Sequence, residues 1–328
     1  MKFTSLFFGL TVLTGGMIQP CAVHAQFRGQ AASGSTNAAS WVIADATSGV
    51  VLDSSNATKR LQIGSLTKVA TAMVVLDWLA AKGGDAGQLA TVPASIAALT
   101  SPNSIGLQPG DQVSLRDALY AALMQSDNQA AETLAVHVGQ QLGGRGTDRE
   151  ASAYFTAQMN ALARKLGMRE TRFLNAHGLD DLENKLPYST AEDVAKLVNY
   201  ALSHSGFLFY TSQKERRISW QTVNGEPTTY LVRNTNELLG QGNVDGVKTG
   251  HTRKAGPCVA VSAAQRPESR QVGEQHVITP RRLTVVVLGS PNRFEVGRTL
   301  LARGWSLMDQ WSAAGRPKQG WKAGVSAR

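Results

Sequence analysis

The sequence predicts a mixed fold of the α/β class, α+β in type, with a helical middle and one sheet completed by both ends of the chain. Three observations lead there. Short apolar runs of strand character lie near the start, at Trp41 to Ala44 and Val50 to Leu52, and recur near the end in "GVKTGHT", "GPCVAVSAA" and "RRLTVVVLGS". Segments with helical periodicity occupy the middle, and a last helical pattern follows the final strand. Of the 328 residues, 42% are hydrophobic and 17% charged, enough to bury a full core in one large domain or two modest ones.

The first 25 residues read differently. Lys2 precedes an apolar run from Phe3 to Ile18, and small residues then lead to Val23-His24-Ala25. This is the pattern of a cleaved secretory signal peptide. Residues 26–38 are small, polar and aperiodic, a flexible leader. Cys21 leaves with the signal, so Cys258 has no partner and disulfides do not hold the fold. Ile18-Gln19-Pro20 lacks the small residues that lipoprotein processing at Cys21 would require. Cys258 sits in an apolar strand pattern, where a thiol is inert.

Structure begins near Ala39. The two first apolar runs flank Thr47-Ser48-Gly49, a hairpin signal. In "LQIGSLTKVATAMVVLDWLAAKGG", Leu66, Val69, Ala70, Met73, Leu76 and Leu79 make a helix that is apolar on most sides and stops at Gly83-Gly84. Such a helix is buried. "SLRDALYAALMQ" opens with Ser114 and Asp117 as a capping pair and runs to about Gln125, and a further helix starts at Gln129. "TDREASAYFTAQMNALARKLG" and "TAEDVAKLVNYALSH" are also helical, linked by the loop "FLNAHGL". After the late strands a helix runs from Arg293 to Trp311, with Val296, Leu300, Trp305, Met308 and Trp311 on one side. Residues 313–328 carry Pro, Gly and basic side chains without an apolar stripe and are expected to be a disordered tail. No run after the signal is expected to span a bilayer, and no repeat of 20 to 50 residues occurs.

The formal charge of +9 suits an anionic wall or membrane surface. Nucleic acid is not expected as a partner, since no basic patch is interleaved with aromatics.

Against that frame stands a polar pair at the start of an apolar helix. Ser65 and Lys68 are three residues apart, so their side chains meet on one helix face. A serine hydroxyl needs a base to become a nucleophile, and a lysine serves only when neutral. Burial in an apolar helix end, and a second cation proposed as Lys248, both disfavour the ammonium form. Free N–H groups at the helix start, at Ser65, and a second near His251 suit a developing oxyanion. Ser126, between two helices, can relay a proton to a departing amine, and Asn128 can hold a substrate amide and Lys68. Lys248 and Thr249, on a strand edge, offer a charge and a hydroxyl to a carboxylate, and a substrate backbone can add to that edge.

Singly, "SLTK", "SDN" and "KTG" are common strings; together and in this order they are the set that marks penicillin-binding proteins and class A β-lactamases. The chain resembles the D-alanyl-D-alanine carboxypeptidase family of low-molecular-mass penicillin-binding proteins. "FLNAHGLDD", "YSTAEDVAKL" and "NTNELLGQGNVDGVKTGHTRKAGPCVAV" extend the likeness over residues 39–312, the expected catalytic domain. The resemblance implies a five-stranded antiparallel sheet flanked by helices, with a mostly helical inserted subdomain. It implies acylation at Ser65, Lys68 as proton acceptor and Ser126 in proton transfer, with Asn128, Lys248, Thr249, Gly250 and His251 binding substrate. It implies peptidoglycan stem peptides as substrate, β-lactam antibiotics as covalent inhibitors, an exported location, and no cofactor or metal.

Many members carry a second, β-rich domain and an amphipathic anchor, and this chain ends too soon after Trp311 for either. That shortness resembles members that cut cross-links, so endopeptidase action stays open beside carboxypeptidase action. A class A β-lactamase needs Glu-x-x-Leu-Asn, and "ETRFLN", Glu170 to Asn175, has one residue too many. A metal peptidase finds no His-x-x-x-His; His137 reads as a satisfied structural histidine and His177 as a loop organiser. A non-catalytic wall-binding module would have lost Ser65 or Lys68. The insert "QRPESRQVGEQHVITP" has no evident role.

Overall fold

The computed structural model describes residues 36–180 and 185–318. The segment expected to be a signal peptide, most of the expected leader and the end of the basic tail lie outside the described residues. The first hairpin forms as its turn residues dictate: β1 (Ser40–Asp45) and β2 (Val51–Ser55) are joined by a turn in which Asp45 Oδ2 accepts from the N–H and hydroxyl of Ser48. A 3-10 turn, Gly64–Thr67, then leads into α1 (Lys68–Lys82). Gly83, at φ 59°, ends this helix in the left-handed conformation that glycine tolerates best. Contrary to expectation, Gly64–Lys82 is long and apolar enough to cross a membrane, but 78% of that stretch is buried inside the fold. It is the central core helix.

The one cap read from the sequence, Ser114 with Asp117, is formed, and others accompany it. Two three-residue strands follow α1, β3 (Leu89–Thr91) and β4 (Gln112–Ser114). Ser114 accepts from Asp117 N and starts α2 (Leu115–Tyr120), and Asp127 accepts from Ala130 N and starts α3 (Asn128–Leu142). The helix expected to run to Gln125 instead widens into a π-helical turn over Ala121–Gln125, the kind of local irregularity that accompanies functional sites. Thr147 and Glu150 form a capping box on α4 (Asp148–Lys165), and Thr190 caps α5 (Ala191–Ser203). After the short α6 (Phe207–Thr211) come β5 (Glu215–Gln221), β6 (Pro227–Arg233), β7 (Val244–Gly250), β8 (Cys258–Val272), β9 (Gln275–Leu288) and α7 (Arg293–Ala313).

The main sheet is antiparallel, in the order β2-β1-β9-β8-β7, so strands from both chain ends complete it. Successive side chains point to opposite faces. Val42, Ala260 and Val286 join the core built on α1, α3 and α5, whereas Ile43, Val261, Val285 and Val287 pack against Leu300, Met308 and Trp311 of α7. Both faces are therefore covered, which explains why β1 is buried along its whole length.

Two features were not anticipated. A second antiparallel sheet, β3-β4-β5-β6, roofs the helical region. Two of its strands are too short to show alternation, and β5 buries only Ile218 and Trp220. The insert at residues 265–280 continues β8 and β9 as a ribbon paired out to Val272 and Gln275. At its base the Glu268 carboxylate accepts from Ser312 and Arg316, and Trp311 Nε1 donates to Pro317 O. The first residues after α7 are thus held in place, where a disordered tail was expected.

Candidate active site

Ser65 lies in the 3-10 turn, where three residues make one revolution and side chains at i and i+3 eclipse. Lys68 therefore stands directly above it, with Nζ 2.9 Å from Ser65 Oγ. Lys68 is fully buried, and its Nζ has two more partners, Asn128 Oδ1 at 2.6 Å and the His177 carbonyl oxygen at 2.8 Å. Burial lowers the Lys68 pKa from 10.5 to about 7, with the Asp127 carboxylate pulling the other way. At that value a large fraction of the amine is neutral near pH 7. The two N–H bonds of a neutral amine are directed to Asn128 and His177, whose oxygens can only accept, so the lone pair is left for the Ser65 hydroxyl.

Ser126 follows the π-helical turn with φ 65°, a left-handed conformation rare for a residue with a side chain. Its hydroxyl makes no hydrogen bond among the described residues, neither to Ser65 nor to Lys68. Asp127, the middle residue of the same motif, is buried and accepts from Ala130 N and Ser104 Oγ, both at 2.7 Å, which fixes the loop at its base.

The third motif ends the edge strand β7. Gly250 packs against the serine-bearing turn so closely that a Cβ there would meet Ile63 O at 2.5 Å. A Cβ at Gly64 would likewise lie 3.1 Å from His251 N. The backbone of His251 thus passes beside the turn that carries Ser65. The His251 side chain is exposed and lines a cavity of about 390 Å³ with Glu237, Arg293 and Phe294.

Lys248, read from the sequence as a charge on a strand edge near Lys68, lies inside the fold. It is 1% exposed and donates to Thr249 O at 2.9 Å, and burial, then Lys68, then Arg293 push its pKa well down. The mutual repulsion of the two lysines is felt at Lys248, while burial is what depresses Lys68. Thr249 is nearly buried, with its hydroxyl 2.6 Å from that of Thr235.

Three contributors escaped the sequence reading. His177 enters through its backbone carbonyl, although its ring, accepting from Leu179 N, does organise the loop as expected. Arg293 donates to Gly250 O at 2.9 Å and braces the end of β7. Thr235 ties Met124 to Thr249. Arg293 acts on a backbone atom and His177 through one, and no residue-type pattern marks such contacts.

The remaining singled-out residues make no contact with Ser65 or Lys68 among the described residues, although Cys258 lies opposite Gly250 in the β7–β8 register. Cys258 is a free, buried thiol whose pKa burial raises to about 11. Glu170 is paired with Arg60. His137 packs edge-on to Trp78, but its Nε2 has no hydrogen-bond partner among the described residues, so it is structural without being satisfied. Among the described residues no cluster of His, Cys, Asp and Glu is arranged to hold a metal ion.

Known proteins resemble this chain in sequence and in fold. D-alanyl-D-alanine carboxypeptidase DacC of Escherichia coli is 33% identical over 285 residues, covering 84% of this chain and 63% of that protein. This chain therefore spans less than two thirds of that relative. A D-alanyl-D-alanine endopeptidase of Pseudomonas aeruginosa is 30% identical over 80% of this chain and 77% of its own length. The crystal structure of the Streptomyces K15 DD-transpeptidase superposes with a TM-score of 0.69 at 26% identity, over 83% of this chain and 98% of that one. Penicillin-binding protein D2 of Listeria monocytogenes, solved with cefotaxime bound, gives 0.63 at 28% identity, over 82% and 98%. The profile of the peptidase S11 family, D-alanyl-D-alanine carboxypeptidase, matches residues 26–272, a span that holds the Ser65 turn, the Ser126 loop and the Lys248 strand. The chain belongs to the D-alanyl-D-alanine carboxypeptidase family.

Proposed function

We propose that the protein is an exported, periplasmic or extracytoplasmic, serine-type D-alanyl-D-alanine carboxypeptidase that removes the terminal residue of peptidoglycan stem peptides and is inactivated by β-lactams. The observation that carries this reading is the Lys68 amine, held by two acceptor-only oxygens with its remaining direction on Ser65 Oγ. Ser65 attacks the D-alanyl carbonyl, and its proton passes to Lys68. The backbone N–H groups of Ser65 and His251 receive the oxyanion. Ser126, unengaged and beside the cleft, relays a proton to the leaving D-alanine. Water, activated by the regenerated amine, releases the acyl group. Asn128 holds the substrate amide, Lys248 and Thr249 receive the terminal carboxylate, and Gly250 leaves room for the turn beside it.

A β-lactam acylates the same serine. Glu170 is engaged by Arg60 and lies in no Glu-x-x-Leu-Asn motif that would make it a water-activating carboxylate, so the penicilloyl group leaves slowly. Labelled benzylpenicillin should mark the purified protein and leave a Ser65→Ala variant unmarked; steady turnover of penicillin, or serine-independent labelling, would overturn the reading.

Endopeptidase action on cross-links is the second reading, supported by the 30% identity to the Pseudomonas aeruginosa endopeptidase over 80% of this chain. Mass analysis of products from a pentapeptide and from a cross-linked dimer separates the two.

A further inference from the structure

The hydroxyls of Thr235 and Thr249 are 2.6 Å apart, and Thr235 Oγ1 also lies 3.2 Å from the Met124 carbonyl oxygen. Each hydroxyl has one proton to donate. The contact between the two hydroxyls can run in either direction by geometry alone, but with Thr235 donating to Met124 O it has Thr249 as its donor, and both protons are then spent. A carboxylate can only accept, so it finds no free donor in this chain of hydroxyls until one proton is redirected. The Met124 oxygen does not depend on the Thr235 hydroxyl, because the backbone N–H of Thr235 also donates to it, at 3.1 Å. The proton that reaches Met124 is therefore the one that can be released without leaving a buried acceptor bare.

From this we infer that Thr235 is a positioning residue for the terminal carboxylate of the substrate. When the carboxylate arrives, the Thr235 hydroxyl leaves Met124 O and donates to Thr249 Oγ1, and the Thr249 proton turns into the cleft. Three features support the assignment. Thr249 is only 5% exposed, so few groups can serve it, and among the described residues Thr235 is its one side-chain partner. Thr235 is exposed at the cleft surface. Met124 belongs to the turn that ends at Ser126, so the same hydroxyl links the Ser126 loop to the β7 edge. Carboxylate binding is thereby sensed at the proton-relay loop.

The inference rests on the carboxypeptidase reading and is tested so that the two can fail separately. Thr235→Val keeps the shape and the backbone N–H and removes the hydroxyl. Competition against labelled benzylpenicillin would compare an acyl-D-alanyl-D-alanine with its C-terminal amide, in the parent protein, Thr235→Val and Thr235→Ser. Thr235→Val removes the donor to Thr249 Oγ1 that orders the Thr249 hydroxyl with its proton in the cleft, so the carboxylate ligand should weaken severalfold, the amide should be unchanged, and Thr235→Ser should restore the preference. Equal weakening of both ligands, no change in either, or failure of Thr235→Ser to restore the preference would overturn the assignment. Absence of serine-dependent labelling in the parent protein would instead overturn the reading beneath it.

Discussion

Ser65 Oγ and Lys68 Nζ are 2.9 Å apart because a 3-10 turn, and not a regular α-helix, carries the serine onto the first residue of α1. The eclipsed geometry sets the contact, and the buried surroundings set its chemistry. An arginine at position 68 would keep a permanent charge, since a guanidinium does not deprotonate in proteins. Lys68→Arg should therefore slow benzylpenicillin acylation by about 10²–10⁴-fold, the usual worth of a general base. Stopped-flow or quenched labelling measures it, and acylation within a factor of a few of the parent rate would show that Lys68 is not the base.

The pH dependence follows from the same amine. Only neutral Lys68 accepts the Ser65 proton, so acylation should rise with pH through about 7 and fall away below it. Asp127 favours the charged form of Lys68. Asp127→Asn retains a good helix cap and an acceptor for Ser104 while removing the charge, so it should move the acidic limb to lower pH. The pH profile of the acylation rate reads this out. A limb that stays in place or moves upward would mean that Asp127 does not set the lysine's protonation.

The pair at residues 65 and 68 was legible because its partners are neighbours in sequence, and the loop and strand motifs were legible as strings of residue types. The rest of the Lys68 environment was not, for a physical reason. Its contact with His177 spans 109 residues and is made by a carbonyl, which every residue possesses. The Thr235 and Thr249 hydroxyls meet across a strand boundary with no periodicity to announce them. Helices declared themselves through periodicity and, at Ser114, through a capping residue that does cap; the caps at Thr147 and Thr190 were not read. The second sheet stayed hidden because strands of three residues, and strands exposed on most positions, carry no alternation that could be read. The polar insert gave no strand signal because a ribbon that leaves the core needs no apolar face.

His177 should make stability sensitive to acid. Burial, and secondarily the Lys68 charge, lower its pKa from 6.5 to about 3. Between those values the unfolded chain binds a proton that the folded protein refuses, so stability is lost as pH falls through that window. His177→Asn removes the titrating ring and keeps a side-chain acceptor for Leu179 N. In urea unfolding the variant should lose less stability than the parent between about pH 6.5 and about pH 4. Equal losses would place the acid sensitivity elsewhere.

Gly250 tests whether the approach of β7 to the serine turn matters. A Cβ at this position would stand 2.5 Å from Ile63 O and 3.2 Å from Leu66 N, both backbone atoms that cannot swing aside. Gly250→Ala must therefore push β7 away from the turn, at a cost of about 1–3 kcal/mol, typical of overpacking. The same displacement would carry His251 N away from Ser65, so acylation should fall even in variant protein that remains folded. Urea unfolding gives the first quantity and penicillin labelling of the folded fraction gives the second. A Gly250→Ala protein that is destabilised yet acylates at the parent rate would show that the His251 backbone plays no part in receiving the oxyanion.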